Sequence, residues 1–442
     1  MVVLRVVAPR GVSAQLPAGF VGLSLEPFDI NSSWLDPTDT SIATLFSDLG
    51  ASRLRIGGTE SGIFFQSDPA VPKPAWARIV VTDADFVRLA ALTARTGWRV
   101  DLGIGLAHFD PANAAQEVAA AARRLGPALA SVEIGNEPDL FASKGLRPPG
   151  YGETQYETEV STYRAAIEKT APGVPIAGPD TARSPAVTDW LDRYVTHQHA
   201  RLAFVTQHSY ATTHCRGAAT SIAELLSNRI RSRSRSLFDA LVAAAKPFGV
   251  AARLDETNST SCGGQAGVSD RFASALWIID DLLDAASRGV AGANVHGLLE
   301  ACVGYTPVCA DRATLQLRAQ PVFYGLLLLH AVGSGRFLAV STTGNPLIDA
   351  YAVRRGDGAV AIVVVNRDAR ARTFVIDEAG ASSAQLSTLT APSLASAGAT
   401  FAGSRVGDDG SFVPKPVAVA RAASGYRIDV RAGSAALLEI RA

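Results

Sequence analysis

The sequence predicts an α/β protein, a (β/α)8 barrel with a C-terminal antiparallel β-sandwich that takes in the N-terminal strand. Three observations carry this expectation. Eight short apolar runs alternate with helical patterns through the first three quarters of the chain, the arithmetic of eight βα units. Beyond about Gly335 the pattern changes to period two, broken by Gly, Asn and Asp, as in stacked antiparallel strands. The opening segment Val2–Val7 has strand character and precedes the first barrel unit.

In order, the barrel strands are expected at Phe20–Leu25, Arg53–Ile56, Arg99–Ile104, Ser131–Ile134, Pro175–Ala177, Ala203–Gln207, Ala251–Asp255 and Gly292–His296. Helical patterns fall between and after them at Ser41–Leu49, Ala84–Thr96, Ala112–Leu125, Tyr156–Lys169, Thr188–Thr196, Leu237–Phe248, Ser269–Ser287 and Pro321–Val332. A doubly wound open sheet is the alternative, but no G-x-G-x-x-G opens a helix; Gly57-Gly58 and Gly103-Ile104-Gly105 read as tight strand ends. The sandwich is expected to hold at least six strands, among them Ile348–Val353, Ala359–Val365, Gln385–Thr390, Tyr426–Val430 and Ala435–Ile440. These elements divide the chain into a barrel domain, 12–334, and a sandwich domain of 1–11 with 335–442. The run Arg229–Ser236 reads as a solvated lead into a helix.

The composition, 442 residues with 48% hydrophobic and 19% charged, suits a large globular protein. Zero net charge calls for neither nucleic acid nor a membrane, and no apolar run reaches the roughly 18 residues of a spanning helix. Lysine is scarce and arginine carries most positive charge, which hints at a GC-rich bacterial source. The four cysteines, Cys215, Cys262, Cys302 and Cys309, include no CxxC pair, so no metal site is expected. Cys302 with Cys309 would close a small loop and leave Cys215 with Cys262, one of three pairings open to four cysteines. Such bridges favour a secreted or periplasmic protein whose leader has been removed; a cytosolic protein is the alternative.

Two strand ends carry the chemistry. Ser131-Val-Glu-Ile-Gly-Asn-Glu-Pro138 reads as a buried strand stopped abruptly, with Pro138 restricting Glu137 to extended geometry. Arg253-Leu-Asp-Glu-Thr-Asn-Ser259 places Glu256 at the end of the seventh strand. Glutamates closing strands four and seven face each other across one barrel mouth, where they can straddle a sugar. Glycoside hydrolysis needs such a pair, one acid for the leaving oxygen and one carboxylate for the anomeric carbon. Glu137 would then need a raised pKa, which burial and Glu256 could supply. Asp255 should point away from the site if its strand is regular. His208 reads as structural, Asp139 and Asp180 as loop caps, and Trp277 as core. Trp34 and Phe28, after strand one, are candidates for a sugar platform.

The ordered motifs resemble glycoside hydrolase family 79, the β-glucuronidases and heparanases of clan A. They are Arg55-Ile-Gly-Gly-Thr59, Glu133-Ile-Gly-Asn-Glu-Pro138, Gly178-Pro-Asp180, Gln207-His-Ser-Tyr210, Asp255-Glu-Thr-Asn-Ser259, Cys262-Gly-Gly264 and Val268-Ser-Asp270. The resemblance implies Glu137 as acid/base and Glu256 as nucleophile. It implies that Asn136 bonds the sugar 2-hydroxyl, that Tyr210 holds Glu256, and that Glu26 and Thr59 line the subsite. A uronate carboxylate would be met by Gly263, Gly264 and Tyr305, neutral donors that need no buried arginine. Cys262 stands where several relatives have tyrosine, and His296 matches no family role. The implied function is a retaining exo-β-glucuronidase without cofactor, its partner a carbohydrate carrying β-linked glucuronic acid. The alternatives are an endo-acting, heparanase-like enzyme, which Arg183, Arg216 and the Arg229–Arg235 run would suit, and a non-catalytic uronate-binding barrel.

Overall fold

A computed structural model describes residues 2–7, 14–36, 38, 40–59, 62–185, 188–311, 313–314, 316–342, 345–377 and 383–441. Eight parallel strands close a barrel in chain order: Val21–Leu25, Arg53–Ile56, Arg99–Ile104, Leu129–Ile134, Ile176–Thr181, Phe204–Thr213, Ala251–Ser261 and Ala293–Gly297. The last pairs with the first in register, Ala293 opposite Val21 and Gly297 opposite Leu25. Strands five to seven run past their expected ends, through residues 178–181, 208–213 and 256–261, whose side chains are mostly polar. A period-two reading cannot recognise such residues as strand. Among the described residues no helix is long and apolar enough to cross a membrane.

The C-terminal strands form one curled twelve-stranded sheet whose inner faces enclose a separate core of Val2, Leu4, Ile362, Val364, Phe374, Ile376, Tyr426, Ile428 and Leu438. Val2–Val7 joins it as expected, antiparallel to Gly335–Thr342 but parallel to Arg372–Asp377, the one departure from an antiparallel arrangement among these pairings. Gln15–Leu16 also pairs with Gly335–Thr342, so the sheet takes in chain beyond residue 11. The expected division between 11 and 12 lies outside the described residues.

Helix Phe272–Ser287 is buried along nearly its whole length and packs on Pro321–Val332 between barrel and sheet. Trp277 lies in this core, as expected. The same helix buries Asp280 and Asp284, and the Arg-Ser run explains how. It is not a solvated lead but part of helix Asn228–Ala245. Arg231 and Arg235, four apart and therefore on one face, reach Asp280 at 3.0 Å and Asp284 at 2.8 Å. Arg231 also meets Asp349 of the sheet, and Tyr351 Oη donates to Asp280 at 2.6 Å. Buried charge persists here because each carboxylate has a partner.

Candidate active site

At the C-terminal end of the barrel strands opens a cavity of about 980 Å³. Its lining includes Glu26, Thr59, Asn136, Glu137, Tyr210, Glu256, Gly263 and Tyr305. The structure therefore gathers every candidate substrate contact except Gly264, which stands behind the wall. Gly264 has φ +82°, and a Cβ there would lie 2.6 Å from the backbone nitrogen of Tyr305. That close approach lets the Cys262–Gly264 turn stack on the Gly304-Tyr305 loop. The Gly263 backbone N–H faces the Tyr305 phenol. Cys262 is bonded to Cys215, which ties the turn to the loop after strand six, and Cys302 is bonded to Cys309. The cavity wall, as far as the described residues form it, includes neither Trp34 nor Phe28.

Glu137 and Glu256 meet. Oxygens of both, with a ring nitrogen of His208, lie within 4.8 Å of one another. Glu137 is not extended, as a residue before proline should be, but left-handed, with φ 53° and ψ 50°. Its N–H donates to Asp180 O at 2.9 Å, which anchors this disfavoured backbone at the strand end. Asp139 caps the neighbouring loop, accepting from the Ala182 and Arg183 N–H groups at 3.0 and 2.9 Å.

Glu256 accepts from Tyr210 Oη at 2.6 Å on one oxygen and from Arg55 Nη1 at 2.8 Å on the other. Arg55 is the residue whose importance the sequence disguised, quoted in a motif without a role. It is fully buried and also donates to Glu133 at 2.7 Å and to Asn136 Oδ1 at 2.9 Å. Committing the Asn136 oxygen leaves its NH2 group as a donor. The signal was present: Arg53 and Arg55 alternate in a strand flanked by apolar residues, which puts both side chains inside the barrel.

Two readings of neighbouring residues are corrected. Asp255 does not turn away, because the pairing of strands six and seven shifts between Thr206 and His208. One extra residue on strand seven lets both acids face His208, Asp255 Oδ2 at 3.4 Å from Nε2 and Glu256 Oε1 at 3.7 Å from Nδ1. His208, read as structural, stands between the carboxylates, its Nδ1 3.4 Å from Glu137 Oε1. His296, left without a role, has Nδ1 2.9 Å from Ser24 Oγ and Nε2 3.4 Å from Glu26. Glu26 also accepts from the Thr59 N–H at 2.9 Å, a contact that needs Gly58, where a Cβ would lie 2.5 Å from the carboxylate.

These neighbours set the charges. Burial pushes the Glu256 carboxyl up, but His296, His208, Arg55 and the Tyr210 hydrogen bond outweigh it and hold it far below the usual range. Burial opposes charge on His208 too, yet Glu256, Asp255 and Glu137 raise its pKa well above the imidazole range. Burial, with Asp255 and Glu133 close by, raises Asp180 well above the carboxylate range, which leaves it neutral. Glu137 departs from expectation. Burial raises it, but the His208 hydrogen bond, the His208 charge and Lys144 prevail, and it is held below the glutamate range despite repulsion from Glu256.

Three groups of the described residues have the spacing to hold an ion: Glu137–His208–Glu256, Asp180–His208–Asp255 and Glu153–Glu157–His197. In the first two, Arg55 and the charged His208 already supply cations, and in the third Arg193 approaches Glu153 at 3.3 Å. A rim of positive charge, Lys144, Arg183, Arg216 and Arg233, lines the mouth of the cavity.

No family model matches the chain. A β-glucuronidase of Aspergillus niger is 28% identical over 235 residues, 48% of this chain and 42% of that protein. A β-glucuronidase of Neurospora crassa is 24% identical over 273 residues, 52% of this chain and 47% of that protein. The chain thus spans less than half the length of these curated relatives. Among solved structures, a 4-O-α-L-rhamnosyl-β-D-glucuronidase of Fusarium oxysporum 12S superposes with a TM-score of 0.83 at 19% identity, over 99% of this chain and 100% of that one. A GH51 arabinofuranosidase of Xanthomonas axonopodis pv. citri gives 0.72 at 14% identity over 100% of both chains. The structural likeness establishes the fold, and both sequence relatives agree with the family 79 resemblance read from the motifs.

Proposed function

We propose that this chain is a β-glucuronidase of glycoside hydrolase family 79 that releases β-linked glucuronic acid with retention of configuration. The single observation that carries the reading is the meeting of Glu137 and Glu256 within 4.8 Å at the cavity floor. One oxygen of each within that distance supports the close spacing of retaining enzymes, about 5–5.5 Å between carboxyl groups, over the roughly 6.5–9.5 Å gap that admits the water of an inverting site.

A Glu256 oxygen attacks the anomeric carbon while Glu137 gives its proton to the departing glycosidic oxygen, leaving a glucuronyl ester on Glu256. Glu137, now ionised, takes a proton from water as that water attacks the anomeric carbon, forming the new C1–O bond while the C1–O bond to Glu256 breaks. Glu256 leaves as carboxylate and Glu137 is again an acid. Arg55 and Tyr210 keep Glu256 ionised and aimed. The Asn136 NH2 group, fixed through its oxygen to Arg55, meets the sugar 2-hydroxyl. The Gly263 N–H and the Tyr305 hydroxyl receive the uronate carboxylate. Two disulfides support export, and the preference for arginine over lysine supports a bacterial source.

The test is a panel of p-nitrophenyl glycosides with NMR of the first-formed anomer. The reading expects cleavage of the β-glucuronide, not of the arabinoside or xyloside, and initial release of the β anomer. Preference for a pentoside, or an initial α anomer, overturns it; saturable binding without turnover favours a non-catalytic barrel. The basic rim favours a second reading, endo cleavage of an acidic polysaccharide. Exo action yields only monosaccharide from a uronate polymer at early times, whereas endo action yields a spread of chain lengths.

A further inference from the structure

The two oxygens of Glu137 are held differently. Oε1 faces inward, 3.4 Å from His208 Nδ1, beside Glu256. Oε2 carries the Lys144 ammonium at 2.7 Å. Lys144 belongs to the loop after strand four, whereas Gly263 and Tyr305, at the sugar-acid end of the pocket, come from loops after strands seven and eight. Its backbone is pinned, with its N–H donating to Leu140 O at 2.8 Å and Phe141 buried beneath. Its side chain is 44% exposed and free to swing on four rotatable bonds.

An ammonium has three donors and no lone pair, so a proton on Oε2 makes that oxygen a poorer acceptor and weakens the Lys144 contact, just as the contact disfavours the proton. Oε1 is engaged by His208, a donor that competes with a proton there, and Lys144 guards Oε2. We propose that Lys144 is a positioning residue that locks Glu137 as carboxylate in the empty site and is displaced when a leaving group enters, freeing Oε2 to carry the catalytic proton. The inference rests on the glucuronidase reading for its mechanism but not for its first test.

The groups facing Glu137 account for the direction of the change. From its own segment come Lys144 and Asp139, from the end of strand five Asp180 and Arg183, from strand six His208, and from strand seven Glu256. Once Lys144 leaves, burial and Glu256 still favour the protonated form, and one of the cations that oppose it is gone. An opposite charge at this range lowers a carboxyl, and the exposure of the lysine moderates the effect.

The first test is a carbon-13 NMR titration of the Glu137 carboxyl in the free protein, wild type against Lys144→Met. The variant should titrate higher, and Lys144→Arg should restore the wild-type value. An unmoved titration in Lys144→Met overturns the inference whatever the protein hydrolyses. The second is the pH profile with p-nitrophenyl β-glucuronide. In the wild type the basic limb of kcat, set by the complex, should lie above that of kcat/KM, set by the free enzyme. Lys144→Met should move only the kcat/KM limb upward, raising kcat/KM on the alkaline side. Coincident wild-type limbs, or limbs that move together, overturn the displacement step. Absence of turnover in every variant instead counts against the glucuronidase reading, and the titration still decides whether Lys144 locks Glu137.

Discussion

Replacing Arg55 with lysine probes the charged core on which both carboxylates depend. The guanidinium donates at once to Glu133, Glu256 and Asn136, at 2.7, 2.8 and 2.9 Å. A lysine keeps the positive charge, but its single nitrogen cannot span three acceptors arranged around a planar fork. At least two charge-assisted hydrogen bonds are lost, each worth about 1.5–3 kcal/mol, so roughly 3–6 kcal/mol of organisation leaves the site. If that organisation acts on the transition state, kcat/KM falls by about 10² to 10⁴. The pH profile supplies the sign. Arg55 helps hold the Glu256 carboxyl low, and attack requires Glu256 ionised, so the acid limb of kcat/KM should move to higher pH. The assay is initial-rate hydrolysis of p-nitrophenyl β-glucuronide across pH, with circular dichroism and thermal melting to confirm folding. A folded variant within threefold of wild type, its acid limb unmoved, refutes the reasoning.

Three further predictions concern other parts of the molecule. Glu117, buried in helix Pro111–Leu125, has its carboxyl pushed up by burial to about 8. Its folded pKa exceeds the unfolded value, so its stability contribution is intact below about pH 4.5 and is lost as pH rises through 8. At pH 7 the loss is about 3 kcal/mol, and Glu117→Gln should raise Tm there yet leave it unchanged at pH 4; equal effects at both pH values contradict this. Breaking the Cys215–Cys262 bridge by Cys215→Ser opens a loop of 47 residues and should cost about 4 kcal/mol of stability. Because Cys262 precedes Gly263, KM for the glucuronide should rise more than kcat falls, and an unchanged KM argues against the turn as the carboxylate site. Treatment with a chelator should leave hydrolysis unchanged, since Arg55 and His208 already provide the positive charge among the acids; loss of rate restored by a divalent ion would overturn that view.

The barrel was legible because short apolar-rich segments alternate with helical patterns eight times, even where a strand such as Arg53–Ile56 carries buried charge. What was hidden is what polar residues do once they are inside. The ends of strands six and seven, Ser209–Thr213 and Thr257–Ser261, look like loop in sequence yet pair across the mouth in register. The one-residue shift that turns Asp255 toward His208 leaves no compositional trace. Glu137 and Glu256 were found because carboxylates at strand ends are chemically conspicuous. Arg55 and His208, which set their charges, were not weighed so, because a lone arginine or histidine in a strand is ambiguous without its partners. The protonation of Glu137 was misjudged for a related reason. Burial and Glu256 were foreseen, but Lys144 reaches back over seven residues through a turn whose geometry depends on the left-handed Glu137 itself.

The most direct measurement is covalent trapping with 2-deoxy-2-fluoro-β-D-glucuronyl fluoride, followed by peptide mass spectrometry. A fluorine at C2 slows both steps, and the good leaving group lets the glycosyl ester accumulate. One label per chain on Glu256, absent from Glu256→Gln and still formed in Glu137→Gln, is the result expected. A label on another residue, or turnover without any adduct and with inversion at the anomeric carbon, would contradict the assignment of these two carboxylates.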